Sequence, residues 1–153
     1  MERSRKLTVW ILFGVYVLAL LLLLFRRHPA ASYSYGLRPF ETIRGYFLLL
    51  RRHDPWESAL RQYALVNFFG NILAFLPLGL FLPLLWHRQR RFWVFLLTAI
   101  ATIVAVEVLQ LISRTGALDV DDLILNLPGA CLGWLGWRLW PRVTKKNEKR
   151  GPV

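Results

Sequence analysis

Nineteen consecutive residues from Leu7 to Phe25 carry no charge, and a second charge-free stretch of the same length runs from Phe68 to Trp86. A helix needs about 20 predominantly apolar residues to cross a hydrocarbon core, so these runs fit a bilayer better than the interior of a small globular domain. Phe92 to Ile112 forms a third such segment, with Glu107 and Gln110 near its end, and Leu123 to Trp140 a fourth, with Arg138 placed to snorkel at its exit. The expectation is an all-α integral membrane bundle of four transmembrane helices with both termini on one side. It forms a single membrane domain over 1–153, with a core at 37–136.

The first segment has the charged prelude of a secretory leader, Arg3, Arg5 and Lys6, and small residues after it at Ala30, Ala31 and Ser32. It reads as an anchor all the same. Its apolar stretch exceeds the roughly 7–15 residues of a leader, and Arg26 and Arg27 separate it from any cleavage site.

A formal net charge of +11 raises the question of nucleic acid, but the basic residues fall between and beyond the spans and match no nucleic-acid module. No nucleic-acid partner is expected. Placing both termini and the His87–Arg91 turn on one side gives that side twelve of the 20 Lys and Arg, which makes it cytoplasmic by the positive-inside rule. Arg26 and Arg27 oppose that assignment. Residues 141–153 read as a basic, disordered tail attracted to anionic head groups, which makes membrane lipids the expected partners.

Cys131 is the only cysteine, and His28, His53 and His87 lie far apart in sequence without the i, i+4 pairing of a helical zinc site. No metal and no cofactor is expected. The lone thiol, inside the fourth segment, reads as a small packing residue.

The longest polar segment, 28–67, carries a helical pattern. Phe40, Ile43, Phe47 and Leu50 recur at spacings of three and four after Pro39, while Arg44, Arg51 and Arg52 occupy other faces. This is expected to be an interfacial amphipathic helix between the first and second spans, with Tyr46 and Trp56 as interfacial aromatics. Asp54 and Pro55 break it, and Glu57 to Leu65 leads helically into the second span.

The short connections at 87–91 and 113–122 make consecutive spans antiparallel neighbours. Polar residues then converge on one end of the bundle. Asn67 and Asn71 open the second span one turn apart, and Glu107, Gln110 and Arg114 close the third on one face. Asp119, Asp122 and Asn126 begin the fourth, on one face if its helix starts early enough to include Asp119. Left facing lipid, Glu107 costs at least a few kcal/mol, so it requires partners, with Gln110, Arg114, Asn71 and Asn126 in reach. The plain alternative is that the amides only glue helices together, and that one of Asp119, Asp121 and Asp122 caps the last helix. Gly129 and Gly133 form a small-xxx-small pair that reads as packing, and Pro77, Gly79 and Pro128 suggest bends.

The stretches NFFGNILAFLPLG and EVLQLISRTGALDVDDLILNLPGACLG, preceded by LRPFETIRGY, resemble the VanZ-like membrane proteins over Leu37 to Gly136. The resemblance implies a bacterial multi-pass protein of the cytoplasmic membrane. The member that names the family is associated with low-level resistance to the glycopeptide teicoplanin, by a mechanism not established. The family's polar pattern falls on Asn67, Asn71, Glu107, Gln110, Arg114, Asp119, Asp122 and Asn126, and Pro128 departs from it.

Three functions are consistent with these residues. The leading one is a cell-envelope binding protein whose extracytoplasmic polar pocket engages an amphiphilic or lipid-linked ligand, an envelope precursor or a glycopeptide. Arg114 would meet an anionic group there, the carboxylates would accept hydroxyl hydrogens, and the amides would orient the head group. The second is a membrane enzyme acting on a lipid-linked envelope substrate, with Glu107 or Asp122 as general base and Arg114 stabilising developing charge. The third is a structural or accessory membrane protein.

Overall fold

The computed structural model describes residues 2–25, 35–36, 38–51, 58–113, 115 and 118–148. Five helices account for nearly all of them: α1 (Glu2–Phe25), α2 (Glu41–Arg51), α3 (Ser58–Leu85), α4 (Phe92–Ile112) and α5 (Val120–Glu148). One turn of 3-10 helix, His87–Arg90, links α3 to α4. Two two-residue strands, β1 (Tyr35–Gly36) and β2 (Leu118–Asp119), pair in parallel and tie the approach to α2 onto the approach to α5.

The apolar runs became helices where expected. Lys6–Leu23 within α1, the whole of α3 and the whole of α4 are each long and apolar enough to cross a membrane. α5 matches them in length, but Asn126, Pro128, three glycines and Arg138 dilute its apolar character. The described residues therefore supply three helices that meet the requirement and a fourth long helix packed among them. α3 starts at Ser58, well before its charge-free run, and continues through Pro77 and Pro83 without a break. α5 likewise continues through Pro128 and on over 141–148, the stretch expected as a basic tail.

Side-chain pairs give the helix directions. Tyr16 faces Ala74, Phe13 stacks edge-on against Phe81, and Trp10 meets Trp86, so α1 runs antiparallel to α3. The rings of Phe92 and Phe95 at the start of α4 pack on Trp134 late in α5, while Glu107 near the end of α4 meets Asp119 just before α5. α4 is thus antiparallel to α5. α3 and α5, by contrast, run parallel, with Gly129 beside Ile72 and Gly133 beside Leu76.

That parallel pair is the most extensive helix contact in the structure, and glycine is the reason. A Cβ at Gly129 would collide with the Ile72 carbonyl, one at Gly133 with the Leu76 carbonyl, and one at Gly79 with the Ala130 carbonyl. The obstacles are backbone atoms, so the two helices touch main chain to main chain. Close van der Waals approach of this kind holds helices together even where no hydrophobic driving force acts between them.

Around the seam lies a core of Phe75, Leu78, Leu82, Phe95, Ala99, Ile103, Ala130 and Trp134. Trp134 donates its indole N–H to the Gln89 carbonyl at 3.0 Å, which fastens α5 to the α3–α4 turn and satisfies a buried donor. Apolar side chains also face outward: Leu7, Leu73, Leu97 and Ile112 are all more than 60% exposed. So much outward hydrophobic surface suits lipid as solvent rather than water.

α1 joins this assembly through a ring cluster with Phe81 and Trp86 and one polar tie, the Tyr16 hydroxyl donating to the Ala74 carbonyl at 2.8 Å. Tyr16→Phe keeps the ring and removes only that hydrogen bond. It should lower stability by about 1 kcal/mol, read as a small fall in the melting temperature of the detergent-solubilised protein. A change as large as that of Tyr16→Ala would show that the hydroxyl does more than tie α1 to α3.

Candidate functional site

The polar residues singled out from the sequence cluster at one end of the bundle, where α3 and α5 begin and α4 finishes. Asn67 and Asn71 on α3, Glu107 and Gln110 on α4, and Asn126 on α5 are all buried, none more than 7% exposed. Burying so many amides and a carboxylate is costly unless they find partners, so their convergence is the reason this end packs as it does.

Most of the partners are visible. Asn71 Nδ2 donates to Asp122 Oδ1, linking α3 to α5 at the polar end of the glycine seam. The Asp119 amide donates to Glu107 Oε2 at 3.5 Å, linking β2 to α4. Asn67 Nδ2 turns back along its own helix to the Tyr63 carbonyl at 2.8 Å. The main-chain carbonyl of Gln110 receives the Thr115 amide at 3.0 Å, holding the chain as it leaves α4. Arg114 lies outside the described residues, as do His28 and His53.

Asp119 is not on α5. The helix starts one residue later, at Val120, so Asp119, Asp122 and Asn126 do not share a helical face as the i, i+3, i+7 spacing suggests. Asp119 instead caps the helix. Its Oδ1 accepts from the Asp121 amide at 2.9 Å, satisfying a first-turn donor, while Oδ2 accepts from the Thr42 hydroxyl at 2.7 Å.

Asp121 is the residue that sequence reasoning undervalued. It is completely buried. Both carboxylate oxygens reach across to the start of α2, Oδ1 accepting from the Phe40 amide at 2.5 Å and Oδ2 from the Ile43 amide at 3.0 Å. A side chain of α5 thus performs the N-terminal capping of α2, meeting two of its orphan donors with a negative charge at the positive end of the helix. The arrangement holds Phe40 at φ 66°, among the described residues the only non-glycine with positive φ. The stretch LRPFETIRGY and the acidic stretch DVDD are therefore one docking joint, with Thr42 and the two amides on one side and Asp119 and Asp121 on the other. The signal in the sequence is faint: α2 has no Ser, Thr, Asp or Asn at the position before Glu41, which leaves its first amides open to a cap from elsewhere.

One polar atom of the cluster stays unmatched. Asn126 is 3% exposed, and its Oδ1 has no hydrogen-bond partner. It follows Asp122 by one helical turn, on the face that Asp122 presents to Asn71. Two surface hollows lie elsewhere, one of about 430 Å³ along α2 and one of about 480 Å³ beside the 3-10 turn. Among the described residues no group of three or more His, Cys, Asp or Glu is placed to hold a metal ion. Cys131 is a free thiol, half-buried against the core.

The chain matches no characterised curated protein and no solved structure. It does match a family: VanZ/LLP1, over residues 12–141. That match takes in all but the first turns of α1, the α2 joint, the whole polar cluster and the glycine seam, and the chain belongs to the VanZ/LLP1 family.

Proposed function

We propose that this protein is a bacterial cell-envelope component of the cytoplasmic membrane, with four spans, both termini cytoplasmic, and α2 lying at the opposite interface. Its buried polar end engages the head group of an amphiphilic or lipid-linked ligand, a lipid-linked precursor or a glycopeptide of the teicoplanin type. The observation that carries this reading is the unmatched Asn126 Oδ1 inside a set of buried amides and carboxylates. An unpaired buried acceptor costs roughly 1–3 kcal/mol, a cost that a donor from a bound head group would offset.

The parallel course of α3 and α5 supports the fourth span, since a helix packed main chain to main chain along a crossing helix shares its depth. α2 has no buried residue and places Arg44 and Arg51 beside Phe47 and Leu48, a composition suited to the head-group boundary. Within the cluster the roles divide. Asp119 and Asp121 are committed to capping, and Asp122 to Asn71. Asn126, with its unmatched Oδ1, meets the ligand together with Glu107 and Gln110, while Asn67 and Asn71 frame them and Arg114 meets an anionic group.

A structural reading of the same cluster is favoured by one observation, the commitment of those aspartates to helix joints. The two readings separate in a teicoplanin-sensitive Gram-positive host. Wild type is expected to raise the minimum inhibitory concentration, and Glu107→Gln, at equal membrane abundance, is expected to lose that protection. Full protection by Glu107→Gln would reduce Glu107 to helix packing.

A further inference from the structure

The hollow along α2 has its own chemistry. Phe40, Ile43, Arg44, Phe47, Leu48 and Arg51 line it, about 430 Å³ in volume. Arg44 and Arg51 are seven residues apart, so they share a stripe of the helix and stand about 10 Å apart along its axis. Between them lie Phe47 and Leu48, and Phe40 precedes them. These three apolar side chains are 54%, 51% and 61% exposed. The one carboxylate of α2, Glu41, sits in its first turn and does not line the hollow.

An apolar floor with an arginine at each end is the wrong surface to leave to water and the right one for an anion with a tail. Guanidinium forks bind phosphate oxygens with paired, charge-assisted hydrogen bonds, while exposed phenylalanine and leucine favour acyl chain. The floor also continues into the membrane-facing surface. Phe47 packs edge-on against Phe68 of α3, and the neighbouring Val66 and Phe69 are 63% and 53% exposed. A lipid whose phosphate sits on the arginines can run its chain directly down that flank of α3.

We infer that the α2 hollow is a binding site for one anionic phospholipid, its phosphate held by Arg44 and Arg51 and its chain laid over Phe47, Leu48 and Phe40. The site rests on the interfacial placement of α2 proposed above, and not on the ligand role of the polar cluster. Because Asp121 and Asp119 fix the N-terminus of α2 on the α5 joint, the two arginines are held on a docked helix rather than a loose one. A bound lipid would brace the far end of α2 against α3.

The test uses the purified full chain in neutral detergent, titrated with phosphatidylglycerol, with phosphatidylcholine of the same chains, or with inorganic phosphate, and read by native mass spectrometry. Phosphatidylglycerol is expected to saturate as a single adduct, and Arg44→Gln with Arg51→Gln to weaken it at least tenfold. Leu48→Ser should weaken it severalfold. Arg44→Lys with Arg51→Lys should recover part of the loss, and Arg91→Gln, at the other end of the bundle, should change nothing. Equal retention of phosphatidylcholine, displacement of the lipid by inorganic phosphate at equal concentration, or undiminished binding by the double Gln variant would each overturn the proposal. Glu107→Gln is expected to keep the adduct, so loss of glycopeptide protection in that variant and loss of lipid in the α2 variants report on separate sites.

Discussion

Replacing Gly129 and Gly133 together by valine should leave little folded protein to extract from the membrane. Each new side chain begins with a Cβ aimed at a carbonyl of α3, Ile72 for the first and Leu76 for the second. Neither carbonyl is the end of a flexible side chain, so the helices must part or shift along their length. Overpacking a tight site costs roughly 1–3 kcal/mol, and two such sites one turn apart on the main seam cost about 2–6 kcal/mol, a large share of a typical total stability. Size-exclusion chromatography of detergent extracts after a heating series is the measurement. Gly70→Ala supplies the contrast: it lies on the same helix pair, but an added Cβ there meets nothing within 4 Å. Its melting temperature should hold or rise slightly, as glycine is a poor helix former. If the double valine variant melts like wild type, α3 and α5 are not held by backbone contact.

Asp121→Ala should release the start of α2. The Phe40 and Ile43 amides lose their acceptors together, and nothing then holds Phe40 in the left-handed region. Two unpaired donors at roughly 1–3 kcal/mol each cost about 2–6 kcal/mol, and relaxation of the strained Phe40 backbone offsets roughly 1–3 kcal/mol of that, so the joint should lose about 3 kcal/mol. Hydrogen exchange localises the effect. The Phe40, Ile43 and Arg44 amides should exchange about a hundredfold faster in the variant, while those of α4 stay protected. Asp121→Asn keeps one acceptor oxygen and should fall between. Unchanged exchange at Phe40 and Ile43 would mean that α2 is held by its packing on Phe68 and not by the cap.

These two variants probe what a one-dimensional reading supplies least well. Membrane class, helix existence and the end of the bundle where polar residues gather follow from local pattern. Charge-free runs at Leu7–Phe25 and Phe68–Trp86 leave a helix as the way to satisfy backbone groups in lipid, and the spacing of Phe40, Ile43, Phe47 and Leu50 marks α2. The boundary of α5 was less legible. Whether Asp119 lies inside or before the helix depends on the β1–β2 pairing and on the Thr42 contact, both made with residues more than 70 positions away.

What the sequence by itself determined is which segments are helices, that they seek lipid, and that Asn67, Asn71, Glu107, Gln110 and Asn126 belong inside, because hydrophobic run length and the cost of burying polar groups are properties of each segment alone. What only the tertiary structure decided is who touches whom. Short connections made α3–α4 and α4–α5 the natural neighbours, yet the dominant contact is between α3 and α5, because glycines on both let two backbones meet where larger residues would hold them apart. Asp121 became the cap of a helix some 80 residues earlier for the same kind of reason. An orphan donor takes the nearest acceptor in space, and nearness in space is set by packing.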